Sequence, residues 1–264
     1  MVAGGHIVGN SLGSTLSEDA GLLLTNVSKR FGGVWAVSDV SIEVEPGTLT
    51  ALIGPNGAGK TTLFNLITNV YSATEGSIVF LGHELTRLSI SAIAKLGIVR
   101  TFQAARVFPG MTTIENVIIG GHLGASVHPV YHMLRLPKAR QEELKLVEKA
   151  EALLELGELL SFRDQAATDL PIGAQKLVDL FRALLANPRM LLLDEPAAGL
   201  NDTETLKLAT LLRAICQTGI TVVVVEHNMS LVMSIADNII VLDAGKIIAV
   251  GSPSEIKVNQ LVIN

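Results

Sequence analysis

The chain has few of the residues that would link it covalently or draw it to nucleic acid. Of its 264 residues only one is a cysteine, so no disulfide can form within the chain, which suits a reducing compartment. Cys216 shares no recognisable motif with a base, which favours a packing role over a nucleophilic one. Lysine and arginine number 20 against 25 aspartate and glutamate residues, and a formal net charge of −5 favours no DNA or RNA partner. No run approaches the roughly 18 apolar residues of a membrane span.

The first 20 residues do not have the composition expected of a secretion signal. Residues 1–20 are rich in glycine and serine and lack the basic and long apolar segments of a signal peptide, so we expect a mostly disordered extension. The chain as a whole is apolar, with 48% hydrophobic residues and a mean hydropathy of +0.46. Two explanations are open: a deeply buried parallel sheet, or a surface that is normally covered by partners.

The order of the apolar runs predicts an α/β chain that is interrupted by a helical insert. Strands are predicted at 22–28, 34–44, 48–53, 76–81, 96–100, 190–193, 221–225, 238–242 and 246–250. The last two flank Asp243-Ala244-Gly245, which is typical of a hairpin. Residues 112–160 instead show largely helical spacing, with a break at 120–137.

One glycine-rich stretch fits the phosphate-binding pattern G-x-x-x-x-G-K-[ST] at every required position. It follows a predicted strand and precedes a predicted helix at 61–67, so backbone N–H groups and the helix dipole would cradle an anion. Lys60 would reach the β- and γ-phosphates, Thr61 would bind Mg²⁺ through its hydroxyl, and Thr62 could bond the α-phosphate. The predicted nucleotide-binding residues here are Gly54, Pro55, Asn56, Gly57, Ala58, Gly59, Lys60, Thr61 and Thr62. A glycine-rich turn that binds nothing is the weaker interpretation.

Two carboxylates follow the predicted strand at 190–193. Asp194 would hold Mg²⁺, directly or through water, because ligands bind at the carboxyl ends of parallel strands. Glu195 is placed to accept a proton from an attacking water. Adjacent carboxylates repel each other, and Mg²⁺ would relieve that repulsion. The alternative is a strand that ends in a polar turn, which the phosphate loop in the same chain disfavours.

Two further polar side chains follow predicted strands. His227 comes after the strand at 221–225 and can donate a hydrogen bond to a γ-phosphate and orient the water. Gln103 comes after the strand at 96–100 and could reach Mg²⁺ or the lytic water through its amide. Neither is informative alone, because a histidine after a strand is more often an ordinary polar cap.

The order of these four elements, with a helical insert before the carboxylates, resembles the ATPase subunit of ABC transporters. The resemblance covers nearly the whole chain from about Leu22. It implies an ABC-type P-loop NTPase fold over residues 21–264: a mostly parallel sheet, an antiparallel β subdomain, and a helical subdomain inserted at about 104–170. It also implies ATP hydrolysis with ATP and Mg²⁺, and an aromatic at Phe31 that stacks on adenine beside Val37. Ordinary core packing is the alternative for Phe31.

Several short stretches are similar to one group of that family, the ATP-binding subunits of bacterial branched-chain amino-acid importers. These stretches are residues 100–108, 111–112, 115–117, 137–140, 197–201 and 225–229. The resemblance implies a peripheral subunit at the cytoplasmic face of the membrane. Its partners would be a second ATPase subunit, two membrane permease subunits and a periplasmic or extracellular substrate-binding protein. Phe108 and Met111 could contact a permease subunit, unless they are buried in the insert.

Three other functions remain open. The wider importer group also handles urea and short amides, so the cargo need not be an amino acid. A soluble ABC ATPase that acts on DNA or ribosomes usually carries long coiled coils, fused cassettes or basic surfaces, which this sequence lacks. A small-molecule kinase built on the same loop usually lacks Asp-Glu-Pro followed by a histidine.

The signature of the family, typically Leu-Ser-Gly-Gly-Gln, is altered in this chain. The corresponding residues are Leu170, Pro171, Ile172, Gly173 and Ala174, with Gln175 next. Only Leu170 and Gly173 match. The resemblance implies that two subunits hold each ATP between the phosphate loop of one and the signature of the other.

Pro171 offers neither a hydroxyl nor an N–H group to a phosphate. The loss of such donors would weaken that contact by roughly 1–3 kcal/mol each. Two expectations follow with equal weight. In the first, the chain forms an asymmetric heterodimer in which the site facing Pro171 hydrolyses ATP slowly. In the second, backbone contacts from Gly173 and the following helix suffice, a homodimer is possible, and both sites work.

Overall fold

The computed structural model describes residues 21–101, 105–124 and 137–263. The expected extension at residues 1–20 and the predicted site residue Gln103 lie outside these ranges. The strands are β1 (Leu22–Phe31), β2 (Val34–Val44), β3 (Leu49–Ile53), β4 (Glu75–Phe80), β5 (His83–Glu84), β6 (Ile98–Arg100), β7 (Met190–Asp194), β8 (Thr221–Val225), β9 (Asn238–Asp243) and β10 (Lys246–Gly251). The α-helices are α1 (Lys60–Ile67), α2 (Ile90–Lys95), α3 (Thr113–Ile118), α4 (Pro137–Leu156), α5 (Ile172–Leu185), α6 (Asp202–Gln217), α7 (Met229–Ile235), α8 (Pro253–Lys257) and α9 (Gln260–Ile263).

The smaller sheet is antiparallel and has the strand order β2-β1-β4-β5. Strands β1 and β2 are joined at Gly32 and Gly33, and Phe31 pairs with Val34 across this turn. Gly32 has a φ of 56°, which glycine adopts without the steric cost of a Cβ atom. The predicted antiparallel subdomain is therefore confirmed.

The larger sheet has the strand order β10-β9-β3-β8-β7-β6 and is parallel except for the β9–β10 hairpin. Every residue of β3, β7 and β8 is buried. Strands that are covered on both faces read as continuous apolar runs, so this sheet accounts for much of the high hydropathy. The parallel pairs place the carboxyl ends of β3, β7 and β8 side by side, with Val225 opposite both Leu52 and Asp194.

Helices fill the region between β6 and β7. Helix α3 begins with a capping box in which Thr112 and Glu115 satisfy each other's backbone N–H groups. Helices α3, α4 and α5 pack together around a buried core that includes Val117, Leu154 and Phe181. The helical insert is thus confirmed, although α5 continues it beyond residue 170. Part of the predicted break at 120–137 lies outside the described ranges.

Two features of the described ranges bear on earlier expectations. No helix there is long and apolar enough to cross a membrane. Cys216 is buried in α6, and burial raises the pKa of its thiol to about 11. The thiol is therefore protonated at neutral pH, as a packing role requires.

Candidate functional site

The phosphate loop joins β3 to α1 and depends on two glycines that no other residue can replace without a backbone shift. Gly54 has a φ of 148°, and a Cβ atom built there would lie 1.9 Å from the carbonyl oxygen of Leu242. Gly59 has a φ of 105°, and its Cβ atom would lie 2.4 Å from the carbonyl oxygen of Ala36. These contacts fix the loop against β2 and β9 and leave the N-terminus of α1 as an anion-binding end.

Lys60 is folded over this loop and is only 6% exposed. Its Nζ atom donates to the carbonyl oxygens of Gly54 at 2.8 Å and Pro55 at 2.9 Å. Burial lowers the pKa of Lys60, whereas the negative charges of Glu195 and Asp194 act in the opposite direction. The ammonium group is therefore held by the loop carbonyls and is subject to the negative charge of both carboxylates, and a terminal phosphate would add further negative charge.

Asp194 ends β7 and is paired with Arg100 at the end of the neighbouring strand β6. The Nη2 atom of Arg100 donates to Oδ2 of Asp194 at 3.0 Å, and its Nη1 atom donates to Oδ1 of Asn65 at 2.6 Å. Sequence reasoning gave no role to Arg100 or Asn65. Thr61, in the first turn of α1, has an exposed side chain. A carboxylate and a hydroxyl are oxygen ligands of the kind that Mg²⁺ prefers, so these residues fit that ion.

Glu195 and His227 are brought together by the ends of β7 and β8. The Nε2 atom of His227 lies 2.9 Å from Oε1 of Glu195. The N–H group of Glu195 donates to the carbonyl of Val225 at 2.9 Å, so the turn after β7 is attached to β8. Glu195 has a φ of 49°, a left-handed conformation that is uncommon for a residue other than glycine. A non-glycine residue in this conformation needs support from its surroundings.

That support comes from two residues whose roles sequence reasoning missed. Lys176 on α5 donates from Nζ to three carbonyl oxygens of the turn: Glu195 at 3.1 Å, Pro196 at 3.2 Å and Ala198 at 2.6 Å. Glu226, which is buried, accepts a hydrogen bond from the N–H group of Ala197 at 2.7 Å. No local motif signals either contact, because the partners come from distant parts of the chain.

The side chain of Phe31 is 43% exposed, so the alternative interpretation of Phe31 as an ordinary core residue is wrong. Its ring makes an edge-to-face contact with Tyr71, with 5.2 Å between centroids, and Lys29 Nζ lies 5.1 Å from its centroid. Val37 is fully buried instead and lies near Gly59. The aromatic surface therefore consists of Phe31 and Tyr71, and sequence reasoning did not identify Tyr71.

The altered signature lies at the start of α5. Leu170 is buried, whereas Pro171 is exposed and Ile172 is 62% exposed. Pro171 precedes the helix and makes no side-chain cap. The Nε2 atom of Gln175 donates to the carbonyl oxygens of Leu170 at 2.8 Å and Thr168 at 3.2 Å. Ala174 is half-buried, so the exposed tip of this segment is Pro171 and Ile172.

Packing within the subunit accounts for the glycine at position 173. A Cβ atom built there would lie 2.6 Å from Oε1 of Glu204, whose other oxygen accepts from the N–H group of Asn201 at 2.9 Å. Glu204 and Asn201 form the capping box of α6. The second glycine of the signature therefore permits close approach of α5 to α6.

The segment expected to contact a membrane subunit is partly exposed. Phe108 is 45% exposed, and the guanidinium of Arg182 lies 5.0 Å from its ring centroid. Asn116 is fully buried and holds this segment, since its Oδ1 atom accepts from the N–H group of Phe108 at 2.7 Å. Met111 is half-buried. The alternative expectation, that Phe108 and Met111 are buried in the insert, is therefore wrong for both residues.

Comparisons with known proteins agree on one family. A family model described as "ABC transporter" matches residues 37–198. The high-affinity branched-chain amino acid transport ATP-binding protein BraF of Pseudomonas aeruginosa is 40% identical over 243 residues, covering 92% of this chain and 95% of the relative. The corresponding LivG protein of Escherichia coli is 38% identical with the same coverage.

Solved structures give the same result. A nucleotide-free ATP-binding cassette from an ABC transporter superposes with a TM-score of 0.79 at 33% identity, covering 93% of this chain and 98% of the other. An ATP-binding cassette of an ABC transporter in its ADP conformation gives a TM-score of 0.80 at 34% identity, covering 92% and 97%. The predicted fold class is confirmed.

Proposed function

Because the chain belongs to the ABC transporter family, as an ATP-binding subunit whose ATPase activity drives transport, we propose that it serves an importer of branched-chain or other hydrophobic amino acids. The cargo is inferred from relatives named as high-affinity branched-chain amino acid transport proteins. An importer of urea or short amides is the alternative, and no relative described above carries such a name. The cargo-binding residues themselves would lie in other subunits.

The observation that carries the proposed chemistry is the convergence of four side chains at one edge of the larger sheet. Lys60 follows β3, Asp194 ends β7 and Glu195 comes next, and His227 follows β8. The loop from Gly54 to Thr62 would hold the phosphates of ATP, and Phe31 with Tyr71 would stack on the adenine. The two aromatics are exposed and already in contact, which suits a stacking surface.

Each of the polar groups at this site would have a distinct role in hydrolysis. Thr61 and Asp194 would hold Mg²⁺, with Gln103 as a further ligand; when bound, the ion neutralises phosphate charge. The Glu195 carboxylate would accept the proton of the attacking water. His227, 2.9 Å from that carboxylate, would orient the water and donate to the γ-phosphate. Arg100 now holds Asp194 and would share this carboxylate with the ion.

We place the chain at the cytoplasmic face of the cell membrane, bound to two permease subunits, with a substrate-binding protein outside. Two ATPase subunits would hold ATP between them. The exposed Pro171 and Ile172 would face the nucleotide of the partner subunit. Since Pro171 has no N–H group to donate, we favour a heterodimer in which this contact is the weaker one.

Replacement of Glu195 by Gln in the assembled transporter tests the chemistry. ATP turnover should fall at least 100-fold, because an amide cannot accept the proton, while ATP affinity by calorimetry with magnesium stays within about threefold. Full turnover in this variant would remove Glu195 from its role. Absence of any adenine-nucleotide binding by the folded wild-type chain would remove the ATPase proposal itself.

Transport assays with the reconstituted complex test the cargo. Leucine, isoleucine and valine should stimulate ATP turnover in the presence of the binding protein, and urea should not. Stimulation by urea or short amides alone would replace the amino-acid proposal by its alternative.

A further inference from the structure

The backbone of the turn after β7 forms hydrogen bonds with two charged side chains that belong to other parts of the chain. We call Lys176 and Glu226 the turn clamp. Lys176 donates to three carbonyl oxygens between Glu195 and Ala198, while Glu226 accepts from the N–H group of Ala197 within the same turn. A cation thus holds the carbonyl side of the turn and an anion holds its amide side.

Lys176 uses its ammonium group fully on this turn. An ammonium group has three donors, and the three carbonyl oxygens lie 2.6–3.2 Å from Nζ. Burial lowers the pKa of Lys176, and the charges of Glu226 and Glu195 act against that shift. The arrangement is therefore a backbone-holding contact and not a surface ion pair.

The carboxylate of Glu226 is itself fixed by several backbone hydrogen bonds. It is 3% exposed, and its Oε2 atom accepts from the N–H groups of His227 at 3.0 Å and Asn228 at 3.4 Å. Its Oε1 atom accepts from Ala197 at 2.7 Å. Backbone donors of this kind fix the carboxylate and leave it little freedom to follow a moving turn.

Part of the turn borders a cavity and is not covered by packed side chains. A cavity of about 210 Å³ lies between α5 and α6, and Pro196 and Leu200 line it opposite Gly173 and Lys176. Pro196 and Leu200 have no packed protein neighbour on the side of the cavity, and the hydrogen bonds of Lys176 and Glu226 hold the backbone of the turn. Glu195, at the start of the turn, also holds an unfavourable left-handed conformation.

We propose that Lys176, together with Glu226, is a positioning residue that holds Glu195 in its left-handed conformation and so aims the carboxylate at the attacking water. This rests on the proposed role of Glu195 as the proton acceptor. A change of φ at Glu195 would swing its Cα–Cβ bond and move the carboxylate away from His227. Lys176 also lies one helical turn after Ile172, so the exposed end of α5 and the hydrolytic carboxylate are linked within one subunit.

The test compares Lys176→Met with Lys207→Met in the assembled transporter. Lys207 lines the same cavity, but its ammonium pairs with exposed Glu158 and does not contact the turn. Lys176→Met should lower kcat about 10- to 100-fold, because the Glu195 carboxylate would no longer be oriented toward the attacking water. KM and ATP affinity should stay within about threefold of the wild-type values. Lys207→Met should match the wild type, and Lys176→Arg should recover most of the lost kcat because it keeps cationic donors.

Two further variants separate positioning from general loss of structure. Glu226→Gln weakens the opposite side of the turn and should lower kcat in the same way without raising KM. In a Glu195→Gln background, Lys176→Met should cause no further loss, since a residue that acts through Glu195 has nothing left to position. Thermal unfolding verifies that each variant is folded.

The proposal is overturned if Lys176→Met and Glu226→Gln leave kcat unchanged, if they raise KM instead, or if Lys207→Met has the same effect. It is also overturned if the losses from Lys176→Met and Glu195→Gln multiply. By contrast, a wild-type chain that does not bind ATP would refute the proposed function. A fully active Glu195→Gln variant would remove the proton-acceptor role on which the positioning of Glu195 rests, and it is distinguished from failure of the clamp because the clamp variants leave residue 195 unchanged.

Discussion

The phosphate-loop end of the subunit and its signature end are built in opposite ways. At the loop, Gly54 and Gly59 lie against backbone carbonyls, and Lys60 is buried over them. At the signature, Pro171 and Ile172 project from the start of α5. Residues of the loop are therefore specified by the subunit's own fold, whereas the signature tip can change at little cost to that fold. If two ATPase subunits share each ATP as proposed, the departure of Pro171 and Ile172 from the family pattern would affect mainly the contact with the second subunit.

The difference also appears between neighbouring residues within each end. Gly57 in the loop faces open space, unlike Gly54 and Gly59. Gly173 in the signature approaches Glu204 closely, unlike exposed Pro171. Each end thus combines residues required by the subunit's fold with residues available to a ligand, and substitutions can separate the two kinds.

The largest effect is expected from Gly54→Ala. The added Cβ atom would lie 1.9 Å from the carbonyl oxygen of Leu242, and a φ of 148° is a backbone conformation that alanine rarely adopts. Strain and overpacking together should lower the free energy of unfolding by about 3–5 kcal/mol, measured by urea denaturation. Gly57→Ala is the matched control: its φ of 83° is also strained, but no atom lies within 4 Å, so about 1–2 kcal/mol is expected. Equal losses would show that the loop is not fixed by its contact with β9.

A smaller effect, at the other end, is expected from Pro171→Ser. Serine restores an N–H group and a hydroxyl, and two recovered donors should strengthen ATP-dependent association with the second ATPase subunit by about 2 kcal/mol, roughly thirtyfold. Sedimentation in a Glu195→Gln background measures this without turnover. Pro171→Ala, which restores only the N–H group, should give about half of the free-energy gain. If neither variant tightens association, backbone contacts from Gly173 and α5 already suffice.

The smallest effect is expected from Asn201→Ala. The side chain of Asn201 accepts from the N–H group of Glu204 at 2.9 Å and caps α6. Loss of this cap should lower the free energy of unfolding by about 1 kcal/mol, measured by thermal unfolding. Asn201→Asp should leave the free energy of unfolding nearly unchanged, because aspartate caps a helix equally well. An Asn201→Asp variant that loses transport but not stability would show a role for Asn201 beyond capping.

The site was predictable where its signals are local. The loop from Gly54 to Thr62 has fixed spacing, and Asp194 follows a wholly apolar run, so the sequence alone placed both at strand ends. The short β5 and α2 were missed, because two or six residues carry too little periodicity. Phe31 was identified only through resemblance, and its partner Tyr71 comes from a part of the chain with no motif.

Contacts between distant residues were not predictable. Arg100 and Asp194 lie 94 positions apart, and Ala197 and Glu226 lie 29 apart. Their meeting depends on the order of strands in the larger sheet, where β7 lies between β6 and β8. Lys176 reaches the turn only because α5 packs against the end of β7, and its sequence neighbourhood reads as an ordinary amphipathic helix.

The kind of chemistry could be predicted from sequence, because a glycine loop before Lys60 and carboxylates after an apolar strand are local patterns that favour binding of phosphate and Mg²⁺. Tertiary structure decided which partners those groups have. It paired Arg100 with Asp194, His227 with Glu195, and Lys176 with the carbonyl groups of the turn after β7. Hydrogen bonds and charges act over a few ångströms, and only the folded sheet and its helices bring such distant residues within that range.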